Sequence, residues 1–216
     1  MQITSELQHA LQQVSETLNQ AGTCWLIGGS CGLLLQNVHL DAMPRDIDVY
    51  TDQVHMADLH HLLQDCSIDE PALSETIRYH SILSHYELED YTMELVGGFR
   101  VRAQGSLYEV HVDKLLLSQA TVAELEGVFV PLMPLSHELV FNMLRERADR
   151  YEAIAKVMKT DLQAHLPLLM QILDSSSFTE NHIRKIESLL GLNRIGNDSA
   201  NPLQAPMREE PFTNET

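Results

Sequence analysis

The sequence predicts an α/β fold, a small mixed β-sheet flanked by helices and followed by a C-terminal helical bundle. Three observations carry that expectation. Helix-period and strand-period segments alternate through the first 133 residues. Strand-like segments then crowd together between residues 79 and 112, separated by acidic or glycine-bearing turns. After Pro134 the pattern turns helical and stays so for about sixty residues.

The elements follow in order. Residues 4–20, TSELQHALQQVSETLNQ, start with Thr4 or Ser5 as an N-cap and repeat Leu7, Leu11, Val14 and Leu18 at helical spacing. Ala21-Gly22 ends that helix. TCWLI, 23–27, reads as a short buried strand broken by Gly28 and Gly29, and Ser30 is placed to cap a second helix through CGLLLQN. HLDAMPR is a loop. DIDVYT, 46–51, alternates polar with apolar, so Asp46, Asp48 and Tyr50 share one strand face and Ile47 and Val49 the other. HMADLHHLLQD is a helix. Strands are expected at 79–88, 92–96, 99–103 and 107–112, with EDY, GG and QGS as turns. GVFVPLM, 127–133, is expected as an edge strand because Pro131 cannot donate to a ladder. A long helix follows, with Val140, Leu144, Ala148, Tyr151, Ala155 and Met158 as its stripe, and then helices at 162–174 and 179–191. This divides the chain into 1–133, a helical part at 134–193, and a tail at 194–216 that lacks periodicity and is expected to be disordered.

Composition narrows the function. Fourteen Lys and Arg stand against thirty-one Asp and Glu, and residues 1–44 contain neither Lys nor Arg. Nonspecific nucleic-acid binding draws on phosphate neutralisation by basic side chains, so nucleic acid is disfavoured as a partner. The three cysteines, Cys24, Cys31 and Cys66, form no CxxC, which argues against a disulfide framework or a zinc ribbon and for a reduced, cytoplasmic compartment. The N-terminal residues have neither the charged nor the apolar region of a signal peptide, and no stretch is apolar enough to span a membrane. None of the eleven histidines matches a zinc spacing, and they read as ordinary residues.

The chemistry concentrates in WLIGGSCGLLLQNVHLDAMPRDIDVYTD, 25–52. Two carboxylates on one strand face, Asp46 and Asp48, suit a hard divalent cation such as Mg²⁺. A Gly28-Gly29-Ser30 turn entering a helix offers backbone N–H groups and a hydroxyl to phosphate oxygens. Together they describe a place for a metal-bound triphosphate. Glu94, alone among Met93, Leu95 and Val96, is the candidate third carboxylate, since a metal would offset the cost of sinking it into an apolar strand. Glu109, His111 and Asp113 also share a strand face, but their clean alternation with Tyr108, Val110 and Val112 reads as a solvated surface. Arg45 stands next to Asp46, within reach of a phosphate or of the local acids; Arg145, Arg147 and Arg150 lie among acids that suggest an ion-paired helix face, with contact to a triphosphate from one of them as the alternative.

GGS followed by DID on the next strand resembles the DNA polymerase β-like nucleotidyltransferase superfamily, and MELVGGFRV is similar to the strand bearing the third acid in its minimal, antibiotic-type members. The resemblance covers about residues 22–113. It implies a nucleotidyltransferase domain in which Gly28, Gly29, Ser30 and Arg45 hold the phosphates of ATP or another NTP. Asp46 and Asp48 would ligate Mg²⁺, and Glu94 would complete the metal site or act as base. The reaction implied is attack of a hydroxyl on the α-phosphorus, with release of pyrophosphate and transfer of NMP, foremost AMP, to a small-molecule acceptor. Two alternatives stand beside it: a toxin–antitoxin-type enzyme acting on protein or RNA, and a degenerate relative that binds nucleotide or serves as a scaffold.

Overall fold

A computed structural model of the chain describes residues 3–88 and 91–193. The tail at 194–216 lies outside the described residues, as do Glu89 and Asp90 of the EDY turn. Helix α1, Ser5–Leu18, is capped by Thr4, whose hydroxyl accepts the Leu7 N–H at 3.3 Å. Leu7, Leu11, Val14 and Leu18 are all buried. Each contributes roughly 1.5–3 kcal/mol of transfer free energy, so packing rather than propensity holds this helix in place.

Eight strands form one mixed sheet among the described residues. They are β1 Leu26–Ile27, β2 Asp46–Thr51, β3 Ala72–Glu75, β4 Tyr79–Leu88, β5 Tyr91–Ala103, β6 Ser106–Glu109, β7 Thr121–Leu125 and β8 Val128–Leu132. The order across the sheet is β3-β4-β5-β2-β1-β8-β7, with β6 also paired to β5. Helix α2, Gly29–Leu35, joins β1 to β2, and α3, Met56–Leu62, follows β2. Helices α4 Leu135–Leu144, α5 Ala148–Met158, α6 Leu162–Ser175 and α7 Glu180–Leu190 complete the described chain.

Several local expectations are corrected. Gly97-Gly98 is no turn: β5 runs through both as one strand of thirteen residues. A Cβ on Gly97 would lie 2.3 Å from the Met56 side chain, and Gly98 takes a left-handed φ of +59°. The pair is therefore a close-approach point and a kink, where β5 passes from its partner β2 to its partner β6. β8 is interior, between β1 and β7. Pro131 is tolerated because β1 engages β8 only at Ile27 and Leu132, where the Met133 N–H reaches the Ile27 carbonyl at 2.8 Å. The edge strands β3 and β7 were not foreseen; both are short and largely exposed, without a strong alternation to signal them. The strand expected at 107–112 ends at Glu109, and Val112–Leu116 forms a π-helical turn. Helix α2 begins after Gly28, with Ser30 inside its first turn rather than at its cap.

The largest departure lies in the helical region. The long helix expected after Pro134 is two helices, α4 and α5, broken at Glu146, which adopts φ +60°. Every residue of α4 is buried. It packs against β5, α2, α5, α6 and α7, so one apolar core runs from α1 through the sheet into α7.

Candidate active site

Strand β2 runs parallel to β5 with Asp48 in register with Glu94, and β4 sets His85 opposite Glu94 from the other side. Side chains of residues in register on adjacent strands project from the same face. Asp48, Glu94 and His85 thus form one row across three strands. Ile47 and Val49 project to the other face and are fully buried, which fixes the register of the aspartates: a slip of one residue would put the carboxylates into the core.

The glycine turn is tied to this row. The Gly28 N–H donates to the Asp48 carbonyl at 2.9 Å. A Cβ on Gly28 would meet the Tyr50 ring at 2.7 Å, and one on Gly29 would lie 1.9 Å from Asp48 Oδ2. Gly29 also takes φ +57°. Both positions demand glycine, for space at the first and for space and backbone conformation at the second. The Gly29 N–H donates to Oε1 of Glu138 at 2.8 Å, and Asn142 Nδ2 donates to the other carboxylate oxygen at 3.1 Å.

These acids crowd one another. Burial pushes the Asp48 carboxyl up to about 7, aided by the charges of Asp46 and Glu94 and opposed by Arg145. Burial likewise raises Glu138 to about 7; the Gly29 N–H pulls it down, the Asp48 charge pushes it up, and Arg145 and the Asn142 amide pull it down. The Cys31 thiol is pushed well above its ordinary range by burial and by the charges of Asp48 and Asp46, and it donates to the Asp46 carbonyl at 3.2 Å.

A cavity of about 450 Å³ opens over this row. Its lining includes Gly29, Ser30, Asp46, Asp48 and Glu94, the arginines Arg145, Arg147 and Arg150, and the rings of Tyr79, Phe99 and Phe141. Gly28 and Arg45 are not among its lining residues, and Arg45 is exposed. The break at Glu146 falls among the three arginines, of which Arg145 acts electrostatically on both Asp48 and Glu138. Arg145 stacks on Phe141, 4.7 Å from the ring centre. Arg147 makes a two-pronged contact with Asp149, at 3.1 and 2.8 Å. One terminal nitrogen of Arg150, Nη1, is buried with no hydrogen-bond partner. Tyr79 and Phe99 are stacked, with ring centres 6.0 Å apart.

His85 was missed by the sequence reading. Its Nδ1 pairs with Asp69 Oδ2 at 2.6 Å, while Nε2 lies 4.0 Å from Glu94 Oε1. Asp69 also accepts the His85 backbone N–H, at 2.7 Å. Glu138 was missed too, although it shows the signal that picked out Glu94: a lone acid in an apolar run, LSHELVFNML.

No protein-family model matches the sequence, and no curated protein matches it significantly. Solved structures do. A candidate nucleotidyltransferase from Thermotoga maritima is 20% identical to this chain over 74% of it and 96% of that protein, with a TM-score of 0.59. The fold is that of a nucleotidyltransferase. The antibiotic-resistance factor ANT(2'')-Ia also superposes, at 10% identity over 80% of this chain and 94% of that one, with a TM-score of 0.50. In this chain the glycine turn meets the DID strand through the Gly28–Asp48 hydrogen bond, and the Glu94 strand pairs in parallel with the DID strand.

The donor set also suits a hard cation. Asp46, Asp48 and Glu94 offer only carboxylate oxygens, and the half-buried Asp48 carboxyl, raised by burial and by its acidic neighbours, is short of positive charge. The acids are not yet gathered as tightly as ligands around an ion: among the described residues the only trio whose donor atoms all fall within 4.8 Å of one another is Cys24, His55 and Asp113.

Proposed function

We propose that the protein is a Mg²⁺-dependent nucleotidyltransferase that moves an NMP, most naturally AMP from ATP, onto the hydroxyl of a small molecule. One observation carries the reading: a single cavity is lined both by carboxylates and by three arginines. A nucleoside triphosphate is the ligand class that needs both, metal-binding acids for its reacting phosphates and fixed cations for the rest of its charge.

The roles divide as follows. Asp46 and Asp48 would hold the metal, which neutralises phosphate charge and stabilises the leaving oxygen when bound. Ser30 and the first turn of α2 cradle phosphate oxygens. Arg145 and Arg150 hold the triphosphate tail, and the buried, unpartnered Nη1 of Arg150 is a donor awaiting an anion. The acceptor oxygen bonds to the α-phosphorus as the bond to the pyrophosphate oxygen breaks. Glu94 takes the hydroxyl proton, with His85 behind it to share that charge. The stacked Tyr79 and Phe99 give a ring a flat surface to lie against. A cationic acceptor, such as an amino sugar, suits the acidic rim.

The test is calorimetric titration of each NTP with and without Mg²⁺, for the wild type and for Asp46→Ala/Asp48→Ala. The reading expects Mg²⁺-dependent binding that the double variant loses, followed by pyrophosphate release when a hydroxylated acceptor is supplied. A wild-type protein that binds no NTP at millimolar concentration would refute it.

A further inference from the structure

A second site lies at the far end of β2. From Asp48 to Asp52 the strand advances by roughly 13 Å, at about 3.3 Å per residue. There one donor atom each from Cys24, His55 and Asp113 fall within 4.8 Å of one another. The Cys24 Sγ sits 3.4 Å from Asp113 Oδ1. The Nε2 of His55 is buried and has no hydrogen-bond partner. A buried ring nitrogen left unpaired carries a desolvation cost that a ligand would relieve.

Asp52 assembles the three groups. Its carboxylate accepts the backbone N–H of Val112 at 3.0 Å and of Asp113 at 2.8 Å, which fixes the π-helical turn that carries Asp113. Its carbonyl accepts the His55 N–H at 3.0 Å. Leu26 pairs with Tyr50 in the antiparallel β1–β2 ladder, and the same register continued sets Cys24 opposite Asp52. The Thr51 hydroxyl holds the Cys24 carbonyl there at 2.6 Å. Three segments that are remote in sequence are thus pinned to one residue.

We propose that Cys24, His55 and Asp113 bind a zinc ion, with water as the fourth ligand. One thiolate, one imidazole and one carboxylate form a mixed soft and borderline set that suits zinc in tetrahedral coordination and does not suit magnesium. Ligands at about 2.0–2.3 Å from the ion need only a modest contraction of the observed cluster. Binding releases the Cys24 thiol proton to solvent and leaves a thiolate on the metal. Asp52 is a positioning residue that fixes the Asp113 backbone rather than a ligand. The exposed Asp113 leaves the ion open to water, while the segments before β1, after β2 and after β6 are cross-linked through it.

The test uses the full chain, stripped of metal and titrated with Co²⁺ as a spectroscopic stand-in. One equivalent should produce a thiolate-to-cobalt charge-transfer band with tetrahedral ligand-field bands, and zinc should displace it. Cys24→Ser should abolish the charge-transfer band. Asp113→Ala, a surface change that leaves folding intact, should weaken binding at least tenfold, and Asp52→Asn should weaken it by about 10–100-fold. Asp46→Ala/Asp48→Ala should keep the band, which separates this site from the cavity. Absence of the band in the wild type, or its persistence in Cys24→Ser, overturns the proposal. Asp113→Ala binding cobalt as tightly as the wild type does the same.

Discussion

Glu138 accepts the backbone N–H of Gly29 at 2.8 Å, across 109 residues of sequence. One buried carboxylate thereby anchors the wholly buried helix α4 to the glycine turn that opens α2. It also places a buried acid beside Asp48, whose charge adds to the burial that raises Glu138. Glu138→Gln keeps an oxygen acceptor for Gly29 and removes the charge. It should raise the melting temperature of the metal-free protein above about pH 7, where the wild-type carboxyl must ionise. Glu138→Ala leaves that N–H unsatisfied and should lower it, by about 1–3 kcal/mol in stability. Thermal melts of the three proteins at one pH decide the matter.

Both Asp48 and Glu138 titrate in the folded protein near 7, above their ordinary values of 3.8 and 4.5. The folded state therefore binds more protons than the unfolded chain in that window. From these two groups, stability of the metal-free protein falls as pH rises from about 4 through about 7. Magnesium replaces the proton, so its stabilising effect should be small at the acid end and greatest above about pH 7. Melting curves with and without Mg²⁺ across that range measure it. Asp48→Asn should flatten both slopes; equal slopes in wild type and variant would show that Asp48 is not the titrating group.

The cavity arginines should act on nucleotide binding. Arg145→Ala and Arg150→Ala each remove a charged donor worth about 1.5–3 kcal/mol when paired with an anion. Each should raise KM for the NTP by about ten- to a hundredfold, with kcat changed less. Arg147→Ala should cost less, because its guanidinium is held by two hydrogen bonds to Asp149, whereas Arg150 makes one 3.5 Å contact with that carboxylate and leaves Nη1 unpaired. Steady-state kinetics with the NTP as the varied substrate give the ranking.

The Asp69–His85–Glu94 row should act on the chemical step. His85→Ala removes the group facing Glu94 and should lower kcat by roughly ten- to a hundredfold while leaving NTP binding intact. Asp69→Asn should do the same more weakly, since it loosens the ring without removing it. The discriminating readout is the pH profile of kcat: a shift of its acidic limb in His85→Ala marks electrostatic support of Glu94, and a KM effect alone would mark a packing role.

The carboxylate lining was legible because both of its signals are local. Strand alternation orients Asp46 and Asp48, and an acid in an apolar strand marks Glu94. The same logic applied to α4 would have reached Glu138. His85 was not legible: its meaning comes from a cross-strand register with Glu94 and a contact with Asp69 sixteen residues earlier, and neither leaves a periodic trace. The three arginines were expected on an ion-paired face, and Arg147 and Arg150 do pair with Asp149; their place in the cavity lining was not legible, because the helical stripe continues in phase across Arg145–Arg147. A left-handed residue at Glu146 breaks the helix without the glycine that usually announces such a turn. The zinc ligands lie in three segments with no motif spacing, so only the folded chain brings them together.

The elbow at Glu146 sets the acidic and cationic linings of the cavity apart by packing constraint as well as by place in the chain. The acids sit in the central strands, where Ile47, Val49, Met93 and Leu95 fix their register; the arginines sit where α4 gives way to α5, on a segment free of that constraint. Replacements along the elbow can therefore reshape the mouth of the cavity while the reacting centre stays as it is. A scaffold divided in this way lets its cationic side vary without disturbing the packing that holds its acids in place.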